Sequence, residues 1–572
     1  MNSTTKSLIK IMLVLLLSGC TFFLPYASWG VELNMVQQGV VALFVMAALM
    51  WILEPIPIWT TSTLVITICL LCMSSSAFTF LRPAVYDVAV VEATLDSATL
   101  GKLTPTTKEN MMAAIKKTLK GKSNLDATGI ITTIDGELMK NAAKAAKKAP
   151  TEPDKLAEAE ALQGAVLRMH DGTVDLAPVK NMTITNVMQQ KAVMATFADP
   201  IIILFLGGFF LAAAATKYRL DISLAKALLK PFGTNPKFVL LGLMCVTALF
   251  SMFMSNTATA AMMLAILGPV LALFAPEDRG RAAFALCIPV AANIGGIGTP
   301  IGTPPNAIAL KAMQDMGLTI SFGKWMLFGV PFVAVMLLIG WLLLIKMFPI
   351  KAKSIELKME GEFLKTPKAI IVYVTFAVSI LLWVFSDLVG VDANTVAIVP
   401  IGVFAVTGVI TAKDLKSMSW DVLWLVAGGF ALGVALQQTN LAKDLINAIP
   451  FASWNATMLM VGAGSICLFM ATFMSHTATA SLLMPILAAV AGTMVGAGVM
   501  DNAGAIGLLC AIAFSSSLGM ALPISTPPNA LAYATGLVEQ KGMAVSGTIL
   551  CLTGLVLTFV LMYILNNCGF FA

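Results

Sequence analysis

Long apolar runs, separated by short polar or proline-containing breaks, set the rhythm of this chain. Residues 11–29, 36–53 and 59–80 are each close to the roughly 20 helical residues that cross a bilayer core. The second and third runs are parted by Glu54-Pro55-Ile56-Pro57, where two prolines stop the helix and turn the chain. After residue 198 the pattern resumes, predicting crossings at 199–216, 325–345, 369–387, 395–410 and 421–436. No stretch alternates polar and apolar residues as a barrel strand would. The pattern predicts an all-α polytopic membrane protein.

Between 82 and 197 the apolar runs give way to Lys, Glu, Asp, Ala and Thr. Lys108 to Lys120 and Asp154 to Met169 read as helices, and the β-branched run Gly129-Ile130-Ile131-Thr132-Thr133-Ile134 reads as a strand. A small extramembrane α/β insertion is expected there.

From 198 onward the chain repeats itself. Leu206-Gly207-Gly208-Phe209 returns as Ala427-Gly428-Gly429-Phe430, and Phe253-Met254-Ser255-Asn256-Thr257-Ala258-Thr259-Ala260 returns as Phe473-Met474-Ser475-His476-Thr477-Ala478-Thr479-Ala480. Gly302-Thr303-Pro304-Pro305-Asn306-Ala307 returns as Ser525-Thr526-Pro527-Pro528-Asn529-Ala530. The offsets are 428 − 207 = 221, 475 − 255 = 220 and 526 − 303 = 223, so one duplication accounts for all three. Counting crossings between the copies makes the first Gly-Gly helix start outside and the second start in the cytoplasm. The repeats are therefore inverted, the arrangement in which secondary transporters place their sites near the membrane midplane.

Ser255-Asn256-Thr257-Ala258-Thr259 lies between apolar runs 238–254 and 260–275, each marginal for a full crossing. A re-entrant helical hairpin fits them better than two spans. At such a tip, N–H groups at a helix start suit a carboxylate, while carbonyl and hydroxyl oxygens suit a hard cation such as Na⁺. The Thr-Pro-Pro-Asn elements break a helix, because paired prolines remove two backbone donors, and a break at membrane depth frees carbonyls for a cation.

Composition sharpens this picture. The 572 residues are 58% hydrophobic and 12% charged, against about 25% charged in soluble chains. The net charge of +6 does not imply nucleic acid, because the basic residues gather in particular loops: 217–237, 279–281, 346–368 and 413–416. That asymmetry assigns those loops to the cytoplasm. Cys69 and Cys72 form a CxxC, but within a membrane helix and without a second pair, and only His170 and His476 are present, so a metal or redox site has little support. His170 beside Asp171 reads as a solvated loop. Asp387, Asp392 and Asp421 fall at helix ends, and no intramembrane acid–base pair or activated nucleophile emerges, which argues against an enzyme. Near the N-terminus Leu17-Ser18-Gly19-Cys20 looks like a lipoprotein cleavage site, yet the run continues apolar through Thr21-Phe22-Phe23-Leu24, which favours a transmembrane helix.

With these motifs in hand, the chain resembles the divalent anion:sodium symporter (DASS) family, which includes sodium-coupled dicarboxylate and citrate carriers. The resemblance covers 30–80 and 198–572. It implies a homodimer in the bacterial inner membrane, in contact with lipid, that carries a small carboxylate by an elevator-like displacement, with Na⁺ as coupling ion and no organic cofactor. It divides the chain into scaffold helices at 1–81, a periplasmic or extracellular insertion at 82–197, the rest of the first repeat at 198–350, a cytoplasmic linker at 351–368 and the second repeat at 369–572. The first hairpin is entered from the cytoplasm and the second from outside. The first sodium site falls on Ser251, Ser255, Asn256 and Gly302, and substrate carboxylates on Asn256, Thr257, Thr303, Thr477 and Thr526.

Two features depart from that family. The insertion lies outside its common core, and the second tip reads Ser-His-Thr where Ser-Asn-Thr is the rule. Matching the halves sets Ser251 against Ala471, Asn256 against His476 and Gly302 against Ser525. His476 therefore joins the substrate-facing residues, and a second sodium site would rest on Ser475 and Ser525. The alternatives are a proton-coupled or exchange-type carboxylate carrier, with protonated His476 in place of one sodium, and a sulfate-type symporter, which the lack of any Arg near the motifs disfavours.

Overall fold

A computed structural model describes residues 3–29, 33, 35–78, 88–99, 103–120, 127–176, 178–179, 188–271, 274–275, 277–355, 362–441 and 455–571. The start of the insertion (82–87) and the middle of the linker (356–361) lie outside the described residues. Ten helices among the described residues are long and apolar enough to cross a membrane, and the chain is a multi-pass membrane protein. The first begins earlier than its apolar run, spanning Ser3–Phe22 without interruption through Leu17–Cys20. Lys10 is accommodated because its Nζ donates to the Leu53 carbonyl 2.8 Å away, at the C-terminal end of Met35–Leu53, where a cation is favourable. The third run closes early, at Met73, in a short π-helical turn carrying both Cys69 and Cys72.

The basic loops share one face. Lys217 Nζ lies 2.6 Å from Asp414 Oδ2 and 2.8 Å from the Val409 carbonyl, and Lys368 reaches the Gly408 carbonyl at 2.9 Å. Ile355 donates to Thr234, and buried Asp278 accepts from the amides of Gly280, Lys351 and Ala352. The first contact also fixes the relation between the repeats. The Gly-Gly helix Pro200–Lys217 ends where Trp420–Gln438 begins, so the two run in opposite directions. The insertion joins the other face: Ser74 bridges Met188, and the Gln189 amide donates to Gln438 Oε1 at the far end of the second Gly-Gly helix.

Two bodies emerge from the packing. A frame comprises Met35–Leu53, Ile58–Met73, both Gly-Gly helices, Pro367–Val384 and the short helices over 393–406. A bundle comprises both hairpins, both broken helices, Phe322–Met347 and Gln540–Asn567. Within the bundle the halves interlock, since the second arm of each hairpin packs on the Thr-Pro-Pro helix of the opposite repeat.

The duplicated glycines explain how the bodies meet. A Cβ on Gly207 would come within 2.6 Å of the Ala397 carbonyl, and one on Gly428 within 2.4 Å of Ser62 Cβ, so the first glycine of each pair seats the helix against the other repeat's part of the frame. The second glycine faces the bundle. A Cβ there would meet Ile301 at 3.6 Å from Gly208, and Ser481 Oγ at 2.5 Å from Gly429. One motif thus provides both the frame's internal packing and its surface toward the bundle.

Among its described residues the insertion forms helices joined by turns and no named strand, contrary to the expected α/β mixture. Val88–Thr99, Pro105–Lys120, Ala127–Lys148 and Asp154–His170 enclose a core of their own that includes Leu95, Met111, Ile115, Ile134 and Leu162. The expected strand at 129–134 lies inside Ala127–Lys148. Ile130, Ile134, Leu138 and Ala142 recur every four residues and are all at most 1% exposed, so the period of burial extends past the β-branched stretch and overrides local propensity. His170 ends the last of these helices and pairs with Asp135 (2.7 Å), whereas Asp171 accepts from Thr173.

The two glycines of the first motif should tolerate change unequally. Gly207→Ala forces carbonyl contacts that cannot relax by rotating a side chain and should cost about 1–3 kcal/mol, whereas Gly208→Ala enters ordinary van der Waals contact and should cost less. Thermal unfolding of the purified protein in detergent checks this; equal losses for both variants would contradict the division of roles.

Candidate functional site

The hairpins reach their tips by the same means. Pro236–Ser251 leads to Asn256–Leu271, and Ala456–Phe473 leads to His476–Gly496. Ser255 and Ser475 cap the second arms, their hydroxyl oxygens accepting from Ala258 N (3.2 Å) and Ala478 N (3.1 Å). The first pair of arms is short, at 16 residues each, but the second pair has 18 and 21, long enough to span. Length therefore does not identify the second hairpin. What identifies it is that its tip reaches the same cavity as the first.

The broken helices meet the tips. Gly280–Gly295 passes through a short turn at 296–298 and restarts as Pro304–Asp315; Asn502–Ser517 restarts as Pro527–Ala534. Several carbonyls at these breaks are engaged within the protein. Asn306 Nδ2 donates to Thr299 O (2.8 Å), Gly296 O (3.1 Å) and Ile297 O (3.3 Å), and Trp325 Nε1 also reaches Ile297 O (3.1 Å). In the second half Asn529 Nδ2 donates to Met520 O (2.8 Å) and Leu522 O (3.0 Å), the positions that match Ile297 and Thr299. The Asn that ends each Thr-Pro-Pro-Asn element thus holds its own helix break closed. The repeat displayed this residue, but its partners are backbone atoms, which leave no signature in side-chain spacing.

A surplus of oxygens remains behind the first tip. Ser251 Oγ sits 2.6 Å from Asn256 Oδ1 and 2.7 Å from the Ala292 carbonyl, yet its single proton can serve only one of them. A Cβ on Gly296 would lie 2.7 Å from Asn256 Oδ1 and 3.0 Å from the Gly302 carbonyl, so only glycine lets those two oxygens approach that backbone. Oxygens converging with too few protons suit a small hard cation. Ser251 is fully buried behind the cavity wall, and Ala292 is a neighbour that sequence reasoning missed because it takes part through its backbone.

The second tip differs at the matching atoms. His476 is buried and its Nε2 lies 2.7 Å from the Gly519 carbonyl, where Gly519 matches Gly296 by the 223-residue offset (519 − 296 = 223). Since a carbonyl only accepts, Nε2 carries the proton. Ser525 Oγ donates to Thr472 O (2.6 Å) and accepts from Leu522 N (3.1 Å). An N–H thus stands where the first half has the Asn256 oxygen, the Ser251 hydroxyl has no counterpart at Ala471, and Ser525 adds a hydroxyl that is locally engaged.

Between the tips lies a cavity of about 510 Å³. Its wall brings together Asn256, Thr257, Thr303, His476, Thr477 and Thr526, along with Ser255, Gly302, Ser475 and Ser525. Four helices begin at it, two from hairpins and two from breaks, each presenting the positive end of its dipole. Leading prolines remove early amides from the two Thr-Pro-Pro helices, leaving hydroxyls as their donors. Among the described residues no Lys or Arg lines the cavity. The frame closes the wall with Trp59, Phe205, Gly208, Phe209 and Leu425. Pro57, Ser419 and exposed Asp421 line it on the side of the basic face; Asp421 thus stands at its mouth rather than in an ordinary loop.

If the Asn clamps hold the breaks, shape alone will not replace them. Asn306→Asp keeps the size but loses both N–H donors, and should destabilise the protein by at least the 1–3 kcal/mol of an unsatisfied buried group. Thermal unfolding of Asn306→Asp and Asn529→Asp measures this; a wild-type melting temperature in both would contradict the clamp.

Comparison with known proteins places this geometry among carriers. Residues 165–568 match the family model described as the sodium:sulfate symporter transmembrane region. An uncharacterized transporter of Haemophilus influenzae is 34% identical over 384 residues, covering 63% of this chain and 80% of that protein. The sodium-dependent dicarboxylate transporter SdcS of Staphylococcus saprophyticus is 30% identical over 428 residues, covering 68% and 81%. The protein of the same name from Staphylococcus aureus strain USA300 is 31% identical over 411 residues, covering 65% and 77%. Among solved structures, the Alcanivorax borkumensis YdaH transporter overlays with a TM-score of 0.45 at 13% identity, over 66% of this chain and 88% of that one, too loosely to bear on the fold.

Proposed function

The chain belongs to the sodium:sulfate symporter family, and from that premise we propose that it takes up small dicarboxylates, of the succinate, malate or fumarate class, together with sodium. One observation carries this reading: the cavity gathers hydroxyls and helix starts at two opposed tips yet, among the described residues, has no cationic side chain. A dianion in that setting finds hydrogen bonds at both ends but no fixed countercharge. Leaving it uncompensated at membrane depth is costly, so a cation must travel with it. The oxygens around Ser251, Asn256 and Gly302 supply a place for sodium beside the anion. The paired tips also favour a molecule with a carboxylate at each end over a single tetrahedral oxyanion such as sulfate. Proton coupling through His476 is not favoured, because the named relatives are sodium-dependent.

The basic face is cytoplasmic in this reading, as is the 351–368 linker, and the insertion lies outside the inner membrane. The cavity then opens inward. The polar residues at the tips and breaks belong to the bundle, while the frame offers a mainly apolar wall with Ser419 and Asp421 at its edge, an arrangement suited to a bundle that moves past the frame as an elevator. The frame is the part expected to join two protomers in a homodimer. Transport, not catalysis, is the activity proposed, with sodium as cargo and no organic cofactor.

Purified protein in liposomes should accumulate radiolabelled succinate under an inward sodium gradient, and not under potassium or a pH gradient alone. Uptake driven as well by a proton gradient without sodium would overturn the reading. Asn256→Ala, which removes an oxygen from the first pocket, should abolish sodium-driven uptake while the protein still folds.

The second tip yields a separate expectation. His476→Asn exchanges an N–H donor on Gly519 for the amide found at the first tip, and should steepen the dependence of uptake rate on sodium concentration. Initial rates over a sodium series, at constant ionic strength, test it. An unchanged steepness would show that His476 does not limit cation binding in the second half.

A further inference from the structure

Asn293 lies on the first broken helix, 1% exposed, and lines the cavity, but it belongs to neither the hairpin tips nor the Thr-Pro-Pro elements. Its side chain crosses from the first repeat to the second. Nδ2 donates to Thr526 Oγ1 at 3.2 Å and to Asn529 Oδ1 at 3.1 Å. The amide's orientation follows from its neighbours: Asn529 gives its N–H groups to the Met520 and Leu522 carbonyls, so its oxygen faces Asn293 and requires a donor there.

This arrangement determines what Thr526 can do. Its hydroxyl oxygen accepts from Asn293 Nδ2 and from the Asn529 backbone amide (3.2 Å), which occupies both lone pairs. The remaining capacity of that hydroxyl is its proton. Thr526 is buried in the cavity wall, so the proton is turned toward whatever acceptor the cavity holds. The first half lacks the device. The position matching Asn293 is Ser516 (293 + 223 = 516), Thr303 makes no side-chain cap, and Asn306 N bonds instead to the Thr303 carbonyl (3.2 Å). Thr303 can therefore rotate between donor and acceptor, whereas Thr526 cannot.

We infer that Asn293 is a positioning residue that locks Thr526 as a one-way hydrogen-bond donor to one carboxylate of the substrate, so that the two ends of the cargo are held by unequal means. The inference rests on the dicarboxylate reading given above. Asn293 touches no substrate in this role; it acts through Thr526. An aspartate there would accept the Thr526 proton itself and turn the donor away from the cargo.

The test measures KM and maximal rate for sodium-driven succinate uptake in proteoliposomes for Asn293→Ala, Asn293→Asp, Thr526→Val and the double variant Asn293→Ala/Thr526→Val. A hydrogen bond to a charged group is worth about 1.5–3 kcal/mol, so Thr526→Val should raise KM by roughly 10- to 100-fold. Asn293→Ala should raise KM severalfold with a maximal rate near wild type, and Asn293→Asp should raise it further. The double variant should have the KM of Thr526→Val alone, because Asn293 has nothing left to orient. Multiplying KM effects in the double variant would overturn the inference, as would an unchanged KM in Asn293→Ala. Should Asn293→Ala fail to fold, Asn293→Ser, the residue found at 516, takes its place in the same cycle with the same criteria. Absence of sodium-driven succinate uptake by the wild type would defeat the transport reading itself, which separates that failure from this one.

Discussion

Lipid offers no hydrogen bonds, so a helix interrupted at membrane depth must satisfy its broken backbone from within the protein. Much of this structure follows from that constraint. Each break leaves carbonyls on one side and helix starts on the other. Asn306, Asn529 and Trp325 take up the carbonyls, and the starts face the cavity. The two kinds of exposed backbone are thus sorted before any ligand enters. The cavity inherits an excess of donors and positive dipole ends without a cationic side chain among the described residues.

The frame of this arrangement is duplicated, but the chemistry is not. Gly207 and Gly428, Asn306 and Asn529, and Ser255 and Ser475 make matching contacts in the two halves. These positions are fixed by backbone geometry, where a substitution would have to move main chain or strand a buried carbonyl. Around the cavity some pairs are kept, Thr257 with Thr477 and Thr303 with Thr526, and others have diverged. Asn256 is set against His476, Gly302 against Ser525 and Asn293 against Ser516. An inverted duplication supplies a symmetric scaffold, and side chains at its centre are free to differ because the cargo itself need not be symmetric.

The repeats, the Gly-Gly helices and the tip and Thr-Pro-Pro residues of the cavity wall are legible in the sequence, because each is written twice at a nearly constant offset. The residues named for the tips and for the Thr-Pro-Pro elements do come together around one cavity, Ser251 standing just behind it. What could not be read is equally specific. Ile130 to Ile134 resembled a strand because the local run is β-branched; the helical period that decides the matter extends to Ala142. The start of the first helix was placed late because Lys6 and Lys10 look like a polar flank, whereas Lys10 is satisfied by the end of the next helix. Asn306 and Ala292 went unassigned because they act on or through main-chain atoms. Asn293 has no repeated counterpart, and a residue that crosses between halves is invisible to a comparison of the halves.

The asymmetry bears on charge balance, which any movement of the bundle must respect. A dianion accompanied by one sodium retains a net charge of −1, and two sodium ions would neutralise it. In the elevator proposed above, moving an unbalanced charge against the apolar wall of Phe205, Phe209 and Leu425 is costly, so the number of cations held would determine how readily the loaded bundle moves. The first half offers oxygens with too few protons between them. The second answers with an imidazole N–H on a carbonyl and a serine hydroxyl already engaged on both sides. In the sodium-coupled reading proposed above, Asn replaced by His at one tip acts on the cation count more directly than on the anion, since Thr477 and Thr526 still line the cavity beside it. A single side chain, placed where a duplicated frame tolerates change, can thus set how much charge each transport cycle carries.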